Sequence, residues 1–269
     1  MQIIDFHNHT DFSPDCRTPL ATHIEAAITQ GVKHLAITDH MDFNLADRSR
    51  DWAIDFARYL PAIRDAQDKY RDRIRIYLGM ELGMQPTALS LMREVVKKAE
   101  FDFIIGSLHS VQEYDIYYDD FYRGKTPEQA IDAYFDDFIE CVRNFKDYCV
   151  LGHLDLFYRY KDPLKKVPVS AYRSKLDILL RQVIADGKGI EINTAGKRSY
   201  GLSWFNPRWE IVERFYELGG RIVTIGSDSH QATAVGSGFE EVLTELYRIG
   251  FRELCTFERM NPVFHRIEV

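Results

Sequence analysis

The sequence predicts an α/β protein in which seven short parallel strands, each followed by a helix, close or nearly close into a barrel. Three observations lead there. Seven runs of three to six residues are apolar on both faces and rich in β-branched side chains, as strands buried inside a parallel sheet are. Capped helical patterns separate the runs, and strand followed by helix, repeated seven times, is the arithmetic of a barrel, with an open doubly wound sheet as the alternative. No linker, low-complexity tract or repeat divides the 269 residues, so one domain over residues 1–269 is expected.

In chain order, the first run is Ile3–Phe6. Thr18-Pro19 then opens a helix with Leu20, Ile24, Ala27 and Ile28 on one face, and Gly31 ends it. Runs follow at His34–Thr38, Ile74–Leu78 and Phe103–Ile105. Thr126-Pro127-Glu128-Gln129 reads as a capping box for a helix through Ile131, Tyr134, Phe135, Phe138 and Val142. After Cys149–Leu151, a helix carries Leu176, Leu179, Leu180, Val183 and Ile184 and stops at Gly187. After Gly189–Asn193, Asn206-Pro207 starts a helix with Ile211, Val212 and Phe215 inward and Gly219-Gly220 at its end. Arg221–Ile225 is the seventh run, and Gly236-Ser237-Gly238 reads as a last helix entry. Residues 41–58 and 110–125 are insertions rich in Asp, Arg and aromatic side chains, either solvated loops or walls over a site.

Composition narrows the function. There are 41 acidic and 34 basic side chains, for a net charge of −7. That balance disfavours broad nucleic-acid or membrane surfaces. Cys16, Cys141, Cys149 and Cys255 are widely spaced and read as reduced thiols of a cytoplasmic protein. No signal peptide or membrane-spanning run is expected. Oligomeric state is left open.

The chemistry lies just past the ends of six of the seven apolar runs. His7, His9 and Asp15 come after the first, Asp39 and His40 after the second, Glu81 after the third and His109 after the fourth. His153 comes after the fifth, and Asp228 and His230 after the seventh. In a barrel these positions open on the C-terminal rim, where active sites are built. Any one of these histidines alone is more often a packed or surface residue than a ligand. Six at successive strand ends are hard to reconcile with packing, because each buried ring would need its own polar partner. The pattern therefore predicts a polynuclear metal site. His7-x-His9 puts two imidazoles on one side of an extended segment, and Glu81, with two oxygens, is the natural shared ligand. Mixed imidazole and carboxylate donors suit Zn²⁺, Mn²⁺ or Fe²⁺ better than Mg²⁺ or Ca²⁺. His23, His34 and His265 fall in helix, turn and terminal contexts outside the set, while Asp39 and Asp155 are expected to orient ligands or caps.

His7-Asn8-His9-Thr10, Ser13, Asp15, Thr38-Asp39-His40, Glu81, Gly106-Ser107-x-His109, Gly152-His153 and Ser227-Asp228-Ser229-His230 together resemble the PHP (polymerase and histidinol phosphatase) family. The resemblance implies a distorted seven-stranded (β/α)7 TIM-like barrel holding three divalent ions. By position it assigns His7, His9, Glu81 and Asp228 to one ion, Glu81, His109 and His153 to a second, and Asp15, His40 and His230 to the third. Some members carry His where this chain has Asp15. Glu191-Ile192-Asn193-Thr194-Ala195-Gly196-x-Arg198 and His153-Leu154-Asp155-Leu156-x-x-Arg159-Tyr160 resemble the histidinol-phosphate phosphatase branch of histidine biosynthesis.

The expected chemistry is hydrolysis of a small-molecule phosphate monoester, L-histidinol phosphate, by in-line attack of a hydroxide bridging two ions. Coordination lowers the pKa of water from about 15.7 to about 7. Glu81, Asp228 and His230 are the expected catalytic groups, with Arg159 and Arg198 clamping phosphoryl oxygens. Three other readings remain open: a PHP-type nucleotide or oligonucleotide phosphoesterase, an amidohydrolase-type C–N hydrolase, and a metal-stabilised binding protein. No G-x-S-x-G elbow, phosphate-binding loop or dinucleotide fingerprint offers another route.

Overall fold

A computed structural model describes residues 3–43 and 52–268. The strands in chain order are β1 (Ile3–Asp5), β2 (Val32–Ile37), the two-residue β3 (His40–Met41), β4 (Arg75–Gly83) and β5 (Phe103–Ser107). The short β6 (Ser110–Val111) and β7 (Tyr114–Asp115) come next, then β8 (Val150–Leu151), β9 (Gly189–Asn193) and β10 (Val223–Gly226). Seven of them pair in the order β1-β2-β4-β5-β8-β9-β10, and every pairing in that series is parallel.

Between β10 and β1 no regular ladder forms. Closure is carried by single backbone bonds from Phe6 N to Ile225 O (2.9 Å), Asp228 N to His7 O (2.9 Å) and His9 N to Ser229 O (3.0 Å). The barrel is thus nearly closed, as the sequence predicts, and its seam lies beside the residues of chemical interest. Alternation along the strands sorts the core into two parts. Ile4, Phe6, Ala36, Tyr77, Phe103, Ile105 and Val150 form one cluster, while Leu35, Ile37, Ile76, Leu78 and Ile104 pack with the helices in the other.

The helices agree with the punctuation read from sequence. The first runs over Leu20–Thr29, and Pro127–Asn144 carries the Thr126/Gln129 capping box. The helix expected from Asn206-Pro207 begins later, at Trp209. Features not read from the sequence include the helix Phe56–Tyr70, the short helix Leu89–Val95, and the C-terminal antiparallel hairpin β11 (Glu253–Glu258) and β12 (Asn261–Arg266). The hairpin contributes Cys255 and Phe257 to the first core cluster, and Phe257 lies 5.2 Å from Phe103 between ring centroids. His34 lies within β2, not in a turn. Among the described residues no helix is long and apolar enough to cross a membrane.

Part of the 41–58 insertion, residues 44–51, lies outside the described residues. The remainder of both insertions supports the wall reading. Asp42 and Trp52 from the first, and Asp115, Ile116, Tyr117 and Tyr118 from the second, line one cavity of about 380 Å³ above the strand ends.

Candidate metal centre

Parallel strands deliver all nine predicted ligands to one place. Glu81 lies inside β4 rather than after it, because that strand runs on to Gly83 and pairs at Glu81 with Ile105 of β5. Its two oxygens divide the site. Oε2 faces His7 Nε2 at 3.2 Å, His9 Nε2 at 3.4 Å and His40 Nδ1 at 3.0 Å. Oε1 faces His153 Nε2 at 2.7 Å and His109 Nε2 at 3.3 Å. Asp228 Oδ1 stands 3.4 Å from His9 Nε2 and 3.8 Å from His7 Nε2. Asp15 Oδ2 lies 3.0 Å from His230 Nε2 and 3.5 Å from His40 Nε2.

Hydrogen bonds behind the rings fix which nitrogen faces the site. His7 Nδ1 meets Glu191 Oε1 at 2.5 Å, and His109 Nδ1 meets Asp42 Oδ1 at 2.8 Å. His230 Nδ1 meets the Asp228 carbonyl at 3.2 Å. Ser13 Oγ gives its proton to Asp39 (2.6 Å), so it accepts from His9 Nδ1 (3.2 Å) and from His40 N (3.0 Å). Each of these Nδ1 atoms therefore carries a proton, and four Nε2 atoms point inward, where each can ligate a cation once it gives up any proton it shares with the carboxylates. His7 Nε2 and His9 Nε2 stand only 3.0 Å apart. Together with the buried Glu81 Oε2, which has no hydrogen-bond partner among the described residues, these two nitrogens crowd one small space. A shared imidazole proton fills it in the absence of a cation. Burial opposes that charge, yet neighbouring carboxylates hold the His7 imidazole well above its ordinary pKa, so the space favours positive charge.

The spacing fits a metal cation. Metal–ligand bonds of 2.0–2.1 Å in a tetrahedron put neighbouring donors about 3.4 Å apart, and the His7, His9, Glu81 and Asp228 atoms meet at 3.0 to 3.8 Å. Five carboxylates (Asp15, Asp42, Glu81, Glu191 and Asp228) face the site or its rings, balanced locally by the Arg159 guanidinium. Charge and donor chemistry both ask for divalent cations.

Burial and charge set the protonation states. Burial, together with neighbouring His230 and His40, pushes the His9 imidazole down to about 3, leaving a neutral ring able to ligate. Burial opposes protonation of His109 as well, yet Asp42 and Glu81 carry it up to about 10. Burial would raise the Glu81 carboxyl, but His7, His40 and His109 hold it well below the usual carboxylate range. The backbone is bent to suit: His153 (φ 23°) and Asp228 (φ 50°) occupy the left-handed region without being glycine, a strain that persists where surrounding structure enforces it. Gly226 leaves the space, since a Cβ there would stand 2.3 Å from both His7 Cβ and Glu191 Oε1.

The two arginines part company. Arg159 lines the cavity and donates from Nη1 to Asp228 Oδ2 at 2.9 Å, with its guanidinium 4.7 Å from the Tyr200 ring. Arg198, expected beside it, does not line the cavity. Its Nη2 is held by the Ser227 carbonyl at 2.8 Å and the Asp228 carbonyl at 3.3 Å, so it braces the strand-end turn that carries Asp228. Asp39 orients His9 at one remove through Ser13, as an orienting role requires. Asp155 instead accepts from Asn206 Nδ2 (2.6 Å) and Arg208 N (2.9 Å) and touches no ligand histidine.

Sequence reasoning missed Asp42, and missed Glu191 and Asn193 as supports of the ligands. A signal was present in each case. Asp42 stands two residues after His40, and Glu191 and Asn193 alternate along β9, so each pair shares a face.

Comparison with known proteins places this architecture. Residues 5–195 match the family model described as the PHP domain. The chain is 30% identical over 263 residues to "Histidinol-phosphatase" of Lactococcus lactis, covering 97% of this chain and 96% of that protein. The crystal structure of histidinol phosphate phosphatase from that organism, complexed with Zn, L-histidinol and phosphate, superposes with a TM-score of 0.87 at 29% identity, covering 97% of this chain and 99% of that one. A Listeria monocytogenes structure at 19% identity and a TM-score of 0.73, covering 88% and 98% of the two chains, shares the fold.

Proposed function

The chain belongs to the PHP domain family, and on that premise we propose that it is a metal-dependent phosphomonoesterase that hydrolyses L-histidinol phosphate to L-histidinol and phosphate. The observation that carries this reading is the convergence of His7, His9, Glu81, His109, His153 and Asp228 on one carboxylate-centred cluster at the floor of the cavity lined by Arg159. Phosphate-ester hydrolysis needs concentrated positive charge and an ionisable water in one place. The related protein from Lactococcus lactis was crystallised with Zn, L-histidinol and phosphate, which supports the substrate.

His7, His9, Glu81 and Asp228 would hold one ion, Glu81, His109 and His153 a second, and Asp15, His40 and His230 a third, each Zn, Mn or Fe. When bound, the ions supply an activated water near neutral pH and neutralise charge on the phosphoryl oxygens. The chain's own groups do the rest. Asp42, Ser13 and Glu191 keep the ligand rings in one tautomer. Arg159 offers guanidinium N–H groups toward the phosphoryl group, and Arg198 acts indirectly by bracing Asp228. Asp115, Tyr117, Tyr118 and Tyr160 form the far side of the cavity, where a carboxylate and aromatic faces suit the ammonium and imidazole of the ester.

Residues 1–269 act as one phosphoesterase domain in this reading. The family match ends at residue 195, yet β10, Asp228 and His230 beyond it complete both barrel and site. The four buried free thiols suit a reducing compartment such as the cytoplasm.

The test loads purified protein with Zn²⁺ or Mn²⁺ and measures phosphate release from L-histidinol phosphate, an aryl phosphate and short oligonucleotides. Preference for L-histidinol phosphate supports the reading. Equal rates on the aryl ester remove the substrate assignment, and activity confined to oligonucleotides transfers the chain to the nucleic-acid phosphoesterases of the same family.

A further inference from the structure

Arg159 is buried but lines the cavity, and each of its three guanidinium nitrogens is engaged. Nη1 donates to Asp228 Oδ2 at 2.9 Å, Nη2 to Asn193 Oδ1 at 2.7 Å and Nε to Asn206 Oδ1 at 2.8 Å. Of five guanidinium N–H groups, these bonds leave two. Whether those two reach a phosphoryl oxygen depends on the rotation of the fork, and the Nε bond to Asn206 is one of the three that set it.

The Asn206 amide has itself been fixed. Its Nδ2 donates to Asp155 Oδ1 at 2.6 Å, and Asp155 Oδ2 accepts from Arg208 N at 2.9 Å. Flipping the amide would set NH₂ against a guanidinium and an oxygen against a carboxylate, so only one orientation satisfies both neighbours. The Asn206 backbone is pinned to Asn193 in both directions, by Asn193 N to Asn206 O at 2.6 Å and Asn206 N to Asn193 O at 3.0 Å. Gly196 provides a separate indication, for a Cβ there would stand 2.3 Å from Asn206 Oδ1. The fold keeps space open at the atom that holds Arg159.

We propose that Asn206, held by Asp155, is a positioning residue that aims Arg159 at the phosphoryl group. The inference rests on the phosphomonoesterase reading above. Asn206 and Asp155 do not line the cavity; they act through the guanidinium.

The test is a double-substitution cycle on the full-length, metal-loaded protein, with two readouts: kcat/KM for L-histidinol phosphate and binding of inorganic phosphate by calorimetry. Elemental analysis checks that metal content matches the unsubstituted protein. Loss of a supporting hydrogen-bond partner in a site of this kind costs about 10- to 100-fold. Asn206→Ala should lower both readouts by about that factor, and in an Arg159→Ala background the same substitution should change neither by more than about twofold. An equal loss in both backgrounds, or no loss in the first, overturns the proposal. Should Asn206→Ala fold poorly, the exchange Asp155→Asn with Asn206→Asp conserves charge and restores a donor–acceptor pair of reversed sense. It should recover phosphate binding that Asn206→Asp alone loses; equal binding by the single and double variants overturns the proposal. Phosphate binding stays measurable if L-histidinol phosphate proves to be the wrong ester, so failure of the substrate reading is distinguishable from failure of this one.

Discussion

His109 Nδ1 lies 2.8 Å from Asp42 Oδ1, and that contact turns Nε2 of the same ring toward Glu81 Oε1, 3.3 Å away. Asp42 is 5% exposed, and its second oxygen stands 3.4 Å from His40 Nδ1, so one carboxylate backs ligands assigned to two different ions. Asp42→Asn should therefore weaken metal binding about 10- to 100-fold, read as a higher Zn²⁺ concentration for half-maximal activity. Gly83→Ala gives a second route to the same result, because a Cβ there would stand 1.9 Å from Asp42 Oδ1. Unchanged metal affinity in both variants would show that the ring needs no such support.

Glu81 is the one side chain common to the first and second assigned sites. Glu81→Gln keeps its size but replaces one acceptor oxygen with a donor facing imidazole nitrogens that must accept a cation. Activity should fall by more than about 100-fold, beyond the cost of losing a supporting partner. Metal content should drop by at least one ion per chain, measured by elemental analysis after gel filtration. Full metal content would count against Glu81 as the bridge.

Gly226 sits where β10 meets the seam. Gly226→Ala drives a methyl group to within 2.3 Å of His7 Cβ and of Glu191 Oε1. Overpacking of this kind costs about 1–3 kcal/mol, and each kcal/mol lowers Tm by about 2–4 °C in a protein of this size. The loss should appear in calorimetric melting of the metal-free protein too, because the clash involves no ion.

The sequence told most about the strand ends. His7, His9, Glu81, His109, His153 and Asp228 could be placed together because parallel strands in a barrel end on one rim, so topology converts distant positions into neighbours. It told least where contacts depend on side-chain direction. Arg198 and Arg159 both come after strand ends, yet one reaches the cavity and the other turns back onto backbone carbonyls, a difference no spacing encodes. The C-terminal hairpin escaped notice because β12 is largely exposed and has no continuous apolar run.

His23, which is not among the assigned ligands, supplies a further pH dependence. It is fully buried, its Nε2 donates to Asn8 Oδ1 at 3.0 Å, and its Nδ1 has no partner among the described residues. Burial, reinforced by His230, pushes the ring down to about 4. The unfolded chain protonates His23 near 6.5 while the folded chain resists, so stability falls as pH drops from 6.5 toward 4 and is unaffected above that window. Between pH 6.5 and 5 this amounts to about 2 kcal/mol at 1.36 kcal/mol per unit. His23→Gln keeps a donor to Asn8 and should flatten the acid limb of the stability curve by that amount, measured by urea denaturation with chelator present. Parallel curves for the two proteins would rule out His23 as the group.

Metal removal should be felt by the whole fold, because the carboxylate cluster it uncovers lies at the seam. Asp228 and His7 are joined across that seam by a backbone bond of 2.9 Å, and their side chains face the same assigned ion. Without cations, Glu81, Asp228 and Asp15 lean on shared imidazole protons and on Arg159. A cation at 100 times its dissociation constant adds about 2.7 kcal/mol, equivalent to about 5–10 °C in Tm. Chelation and then gel filtration should lower Tm by at least that much. Restoring Zn²⁺ or Mn²⁺ should recover it, whereas Mg²⁺ should do so poorly, since imidazole donors suit it badly. Equal recovery with Mg²⁺ would mean that the ions are held by the carboxylates alone and that the four inward-facing Nε2 atoms are not ligands.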